Sequence, residues 1–208
     1  VSVNPDSEMI PVTRSNGVLL TLTAPTGGLL AGQSAVLQLD GWTYEDLTLK
    51  PAAAMHVGWP AMSPVIDWET ERSAKEQLAD RDTALERLRD AFDDARAYAK
   101  ARAADSSAPR DARWEAMQPV LAGEQPLIID ADDLQQIQAA VAFAAEQKVK
   151  IIIHGGYDAP LCARLLKEHD VPVIVSEVYR LPLRRWEPYD TAYTVPARLH
   201  AAGVAYCI

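Results

Sequence analysis

Apolar and polar positions alternate along the chain in two rhythms. Three short apolar runs stand out in the second half: Pro126-Leu-Ile-Ile-Asp130, Lys150-Ile-Ile-Ile-His154 and Val171-Pro-Val-Ile-Val-Ser176. Runs of this length, separated by helix-length segments, predict strands buried on both faces of a parallel sheet. Each run ends in a polar residue: Asp130, His154 or Ser176. Their separations of 24 and 22 residues fit successive βα units, with right-handed crossovers placing the strands side by side. In such sheets chemistry gathers at the carboxyl ends of the strands, so Asp130 and His154 are the first candidates.

The intervening segments carry helix signals. Asp133 with Gln136 forms a capping-box pattern, and Leu134, Ile137, Val141 and Ala144 supply a buried face. A second helix is predicted over Asp158–Glu168, burying Leu161, Leu165 and Leu166. Earlier, from about 67 to 105, the chain holds no Gly or Pro and places Leu78, Leu85, Phe92 and Ala99 seven apart. This predicts one long amphipathic helix on the outside of the domain, supported by pairs such as Glu71–Lys75 and Arg89–Asp93. Another helix is expected over Asp111–Leu121, ended by Gly123.

The first third is more extended. After a short helix ending near Gly17, strands are predicted at Val18–Thr23, Gln33–Leu39 and Leu47–Ala53. Gly27-Gly28 reads as a tight turn, because no Lys-Ser/Thr follows to make a phosphate loop. Pro51, Pro60 and Pro64 predict an irregular stretch to Asp67, which places His56 in a loop. The end of the chain reads as a proline-punctuated loop over Leu181–Asp190, of the kind that often serves as a lid, then a helix at about Val195–Ala202 and a strand from Gly203 to Ile208.

Composition narrows the function. A net charge of −9 disfavours nucleic acid and anionic membrane surfaces as partners, and no apolar run approaches the length of a membrane span. Cys162 and Cys207 make neither a disulfide framework nor a zinc knuckle alone, and they are compatible with a cytoplasmic or an exported (periplasmic) protein. The histidines are His56, His154, His169 and His200, and none forms His-x-His or His-Glu-x-x-His. His169 and His200 lie at or on helices, where capping or solvent-facing roles are expected. His154 stands apart, since Gly155-Gly156 lets the backbone turn so that its ring faces the sheet's end. Without a Gly-x-Ser-x-Gly elbow, and with Cys162 inside a helix, nucleophilic catalysis has little support.

The stretches Pro25–Gly41 and Pro119–Ala159 resemble, in order and spacing, metal-dependent amidohydrolases of the imidazolonepropionase-related group. The first looks like the segment after the second barrel strand, and the second like the fifth and sixth strands with the helix between them. The resemblance implies an α/β fold, a partial (β/α)8 TIM-type barrel with parallel strands and outer helices. Residues 1–208 would be the central portion of a single barrel domain. It also implies hydrolysis of a cyclic amide or other C–N bond in a small-molecule substrate by water activated on zinc or another divalent metal. His154 matches the family's sixth-strand metal ligand, and Asp130 occupies the place of its fifth-strand histidine; the family's first-strand His-x-His and last aspartate have no counterpart. The fragment alone is therefore expected to be inactive, and the alternative is a degenerate, non-catalytic barrel acting as a binding or scaffold protein. A part-barrel leaves strand edges and apolar surface uncovered, so homo-oligomerisation or self-association is expected.

Overall fold

A computed structural model describes residues 3–66 and 71–208. The elements follow in the order α1 (Met9–Ser15), β1 (Leu20–Thr23), β2 (Leu30–Gln38), α2 (Tyr44–Leu47), β3 (Thr48–Gly58), α3 (Ala74–Ala104), α4 (Ala112–Leu121), β4 (Leu127–Ala131), α5 (Leu134–Gln147), β5 (Ile151–Gly155), α6 (Ala163–Glu168), β6 (Val173–Val175), α7 (Thr191–Ala202) and β7 (Tyr206–Cys207). The strands form one seven-stranded sheet in sequence order. From β3 to β7 every neighbouring pair is parallel, while β2 runs antiparallel to both β1 and β3. The parallel α/β sheet expected from the sequence is present, with an antiparallel hairpin added at its N-terminal edge. Among the described residues no helix is long and apolar enough to cross a membrane.

The helices cover one face of this sheet. Leu127, Ile129, Ile153 and Val173 point into the main core, each at most 1% exposed. Their alternate neighbours Asp130, Ile152, His154 and Ile174 point the other way and are only partly covered. The sequence predicts burial on both faces, because it shows isoleucine at either parity. The structure buries the helix side and leaves the inner side half open.

Helix α3 begins at Ala74 behind a Ser73–Glu76 capping box, so the helical start expected at Asp67 falls partly on 67–70, outside the described residues. Its buried residues are Leu88, Phe92 and Ala95. Phe92 packs edge-on against Phe143 of α5 at 5.4 Å between ring centres, and Trp59 also meets that ring edge-on, at 5.5 Å. Arg89 reaches across to Glu146 of α5 at 2.9 Å, and Asp93 pairs with Arg96 at 3.2 Å. The expected Arg89–Asp93 pair thus gives way to a contact between helices.

Strand β3 departs furthest from expectation. It runs on to Gly58 because Met55–Gly58 pairs in parallel with Leu127–Asp130, a partner about 70 residues away that local pattern cannot reveal. Pro51 is accommodated at a register shift opposite Ser34–Val36, where a missing N–H costs no ladder bond. His56 consequently lies within a strand and not in a loop.

Candidate functional site at the ends of the parallel strands

At the carboxyl end of the sheet, Gly58, Asp130 and His154 stand side by side in register on β3, β4 and β5. Asp130 Oδ1 and His154 Nδ1 are 2.7 Å apart. This bond, with further help from the charges of Asp130 and Asp132, raises the His154 pKa above its ordinary value against the opposing pull of burial. With Nδ1 donating to the carboxylate, Nε2 is the ring atom left to accept a proton or hold a ligand. Both side chains remain open to the inner side of the sheet, at 45% and 62% exposure.

The backbone here is shaped by glycine. Gly155 and Gly156 have positive φ of 103° and 70°. A Cβ on Gly155 would stand 2.7 Å from Asp132 Oδ1, and one on Gly156 would stand 2.5 Å from Val173 Cγ1. The turn after His154 can therefore fold back onto the end of β4, where Gly156 N–H donates to the Ala131 carbonyl at 2.9 Å.

The acids after β4 divide their work. Asp133 caps α5, accepting the Gln136 N–H at 2.9 Å. Asp132 accepts the Tyr157 N–H at 3.2 Å and pairs with Arg180 at 3.3 Å. Asp130 alone is given to His154. Ser176 sits one residue past β6, its N–H donating to the Gly155 carbonyl at 3.3 Å. His169 caps α6 and His200 lies in the last turn of α7, both away from this end.

His56 is the residue that sequence reasoning placed wrongly. Two positions before Gly58, it shares the inner face with Asp130 and His154. Burial lowers its pKa; Asp130 pulls the other way and the His154 charge adds to the lowering. Its Nε2 is buried and has no hydrogen-bond partner among the described residues. The alternation Met55-His56-Val57-Gly58, two apolar residues flanking a polar one, is the signal that could have extended the strand.

The loop after β6 is fastened to this end. Arg184 grips the buried Asp158 with two bonds of 2.5 and 2.8 Å and binds Glu187 at 2.6 Å. Asp158 also accepts the Leu134 N–H at the start of α5, and Glu187 accepts the Tyr157 hydroxyl at 2.7 Å. A larger cavity of about 730 Å³ lies along this loop, away from His154.

No protein-family model matches the chain, and no curated protein matches it. Among solved structures, the chain is similar to an amidohydrolase from Thermotoga maritima MSB8, with a TM-score of 0.78 and 19% identity. The match covers 98% of this chain and 54% of that one, so the chain spans about half the length of the structure it resembles. The likeness establishes the fold: a mostly parallel α/β sheet with helices, curled as part of an amidohydrolase-like barrel.

Proposed function

We propose that this chain is the central part of an amidohydrolase-like barrel whose whole protein hydrolyses a cyclic amide or other C–N bond, with His154 and Asp130 at the reacting end. The observation that carries this reading is the 2.7 Å contact between His154 Nδ1 and Asp130 Oδ1 on the open inner face. A carboxylate on one ring nitrogen fixes the tautomer and raises the basicity of the other. Nε2 can then take a proton from an attacking water as the carbonyl carbon becomes tetrahedral. It can return that proton to the leaving nitrogen when the C–N bond breaks. Asp130 stabilises the imidazolium formed in between.

A divalent metal would supply polarisation of water and carbonyl in such a reaction. The donors we assign to it are His154 through Nε2 and Asp130 through its second oxygen; a metal on Nε2 takes the lone pair that the proton transfer above uses, so His154 is general base without the metal and ligand with it, not both at once. These residues do not complete a centre by themselves. Among the described residues no three His, Cys, Asp or Glu side chains are placed so as to hold one metal ion, whereas a catalytic zinc takes three protein ligands. The second reading, a degenerate barrel that binds or scaffolds without catalysis, is supported by Asp130 standing where the resembled family places a histidine.

Metal analysis of the purified chain tests both. Substoichiometric zinc or none is the expected result. Stoichiometric zinc that disappears in His154→Ala would show that this chain alone builds a metal centre. The gene sequence preceding Val1 separates the two readings, since a His-x-His there supports the enzyme and its absence supports the degenerate barrel.

A further inference from the structure

The cavity of about 730 Å³ along the loop after β6 exceeds the one of about 360 Å³ beside His154 on the inner face. Its walls come from the loops after β3, β4, β5 and β6 and from α7, and none comes from the edge strands β1 and β7. Leu134, Leu161, Trp186 and Pro188 form its apolar side. The volume falls within the range of small-molecule sites.

Trp186 is held in this cavity by a pinned turn. Arg184 N–H donates to Glu187 Oε2 at 2.9 Å, and Glu187 N–H donates to the Arg184 carbonyl at 3.1 Å, which closes 184–187 on itself. Both ends of the turn are anchored below, Arg184 to the buried Asp158 and Glu187 to the Tyr157 hydroxyl. The indole between them is nevertheless 80% exposed, and Leu161 in the same lining is exposed as well. A large ring that a fixed turn holds in water forgoes the burial that would stabilise it, and apolar groups exposed together mark contact surfaces.

The charges of the lining divide into engaged and free. Asp133 caps α5, and Asp158 and Glu187 both bind Arg184. Arg198 lies seven residues after Thr191 on the same face of α7; it is exposed, and no carboxylate of the described residues holds it. A free guanidinium beside an exposed indole suits a flat ring carrying one carboxylate. The ring covers Trp186 and Leu161 while the carboxylate accepts paired N–H bonds from Arg198.

We propose that this cavity is a second ligand site, separate from the strand ends, which takes an aromatic acid with its ring on Trp186 and its carboxylate on Arg198. The inference is independent of the function proposed above, because it uses neither His154 nor Asp130.

The test is an NMR titration of the tryptophan indole N–H signals with phenylacetate, phenylacetamide and phenethylamine, which share the ring and differ in charge. The Trp186 signal is identified by its loss in Trp186→Phe. Phenylacetate at millimolar concentration is expected to shift Trp186 and to leave Trp42 unmoved, since Trp42 is 88% exposed but lines no part of this cavity. The amide should bind about tenfold more weakly than the acid, and Arg198→Gln should weaken the acid by about the same factor, the effect of one lost charge-assisted contact. The amine should bind more weakly still. Both substituted side chains are exposed, so these variants keep the fold, and the unmoved signals of the buried residues verify it. A Trp186 signal indifferent to phenylacetate would overturn the inference, and so would an equal shift at Trp42, the mark of adsorption to any exposed ring. Amide or amine binding as tightly as the acid, or acid binding undiminished in Arg198→Gln, would overturn it too.

Discussion

Gly58 lies beneath the carbonyl of Gly28, so close that a Cβ at position 58 would come within 2.7 Å of that oxygen. The neighbour is backbone and cannot swing aside as a long side chain would. Gly58→Ala is therefore expected to lift the Gly27–Gly28 loop and to destabilise the protein by roughly 1–3 kcal/mol, as overpacking does. Urea denaturation measures the cost. A variant as stable as the parent would show that the loop yields freely.

The His154–Asp130 bond sets a titration. Asp130→Asn removes the charge while keeping the size, so the His154 pKa should fall from its raised value toward or below the ordinary 6.5. A pKa raised on folding stabilises the protein fully below the unfolded value and loses that contribution as pH rises through the folded one. The Asn variant should consequently lose stability relative to the parent on the acid side of that window. Ring-proton NMR against pH measures the shift, and an unchanged His154 in the variant would contradict it.

Asp158 is 3% exposed and holds Arg184 in a two-bond clasp. Asp158→Ala leaves the guanidinium without its main partner and the Leu134 N–H without an acceptor. Since Arg184 is itself 29% exposed, water offsets part of the loss. The expected destabilisation is roughly 2–4 kcal/mol, below the upper range for buried pairs. Limited proteolysis should also find the loop at 177–190 cut sooner. Unchanged cleavage would mean that other contacts hold the loop.

The two cysteines should behave differently toward a thiol reagent. Cys207 is exposed, whereas Cys162 is buried and its pKa is pushed up to about 11, by burial first and then by Asp158. One thiol should react quickly at neutral pH and the other only on unfolding. The raised pKa also means that the contribution of the buried thiol to stability, full below pH 9.0, is lost as pH rises toward 11. Peptide mapping after brief alkylation checks the order; early labelling at Cys162 would refute it.

The most readable parts of this chain were those whose signals are local. Asp133 and Gln136 announce the start of α5, and Gly155-Gly156 announces the turn after β5, because caps and positive φ are decided within a few residues. The side-by-side placement of Asp130 and His154 followed from their spacing, although their direct contact did not. His56 was misplaced because the end of β3 is strand only through its pairing with β4. The half-open inner face was equally hidden, since Ile152 and Ile174 look no different from isoleucines that a second layer covers.

The reach of Asp158 has a consequence for how this surface can change. One carboxylate receives the first N–H of α5, sits at the end of the turn after β5 and anchors Arg184 from the loop after β6. The loops after β4, β5 and β6 are therefore a single mechanical piece. Replacing any one of them, in the laboratory or in evolution, shifts the other two, so new recognition at this rim requires coordinated substitutions in all three.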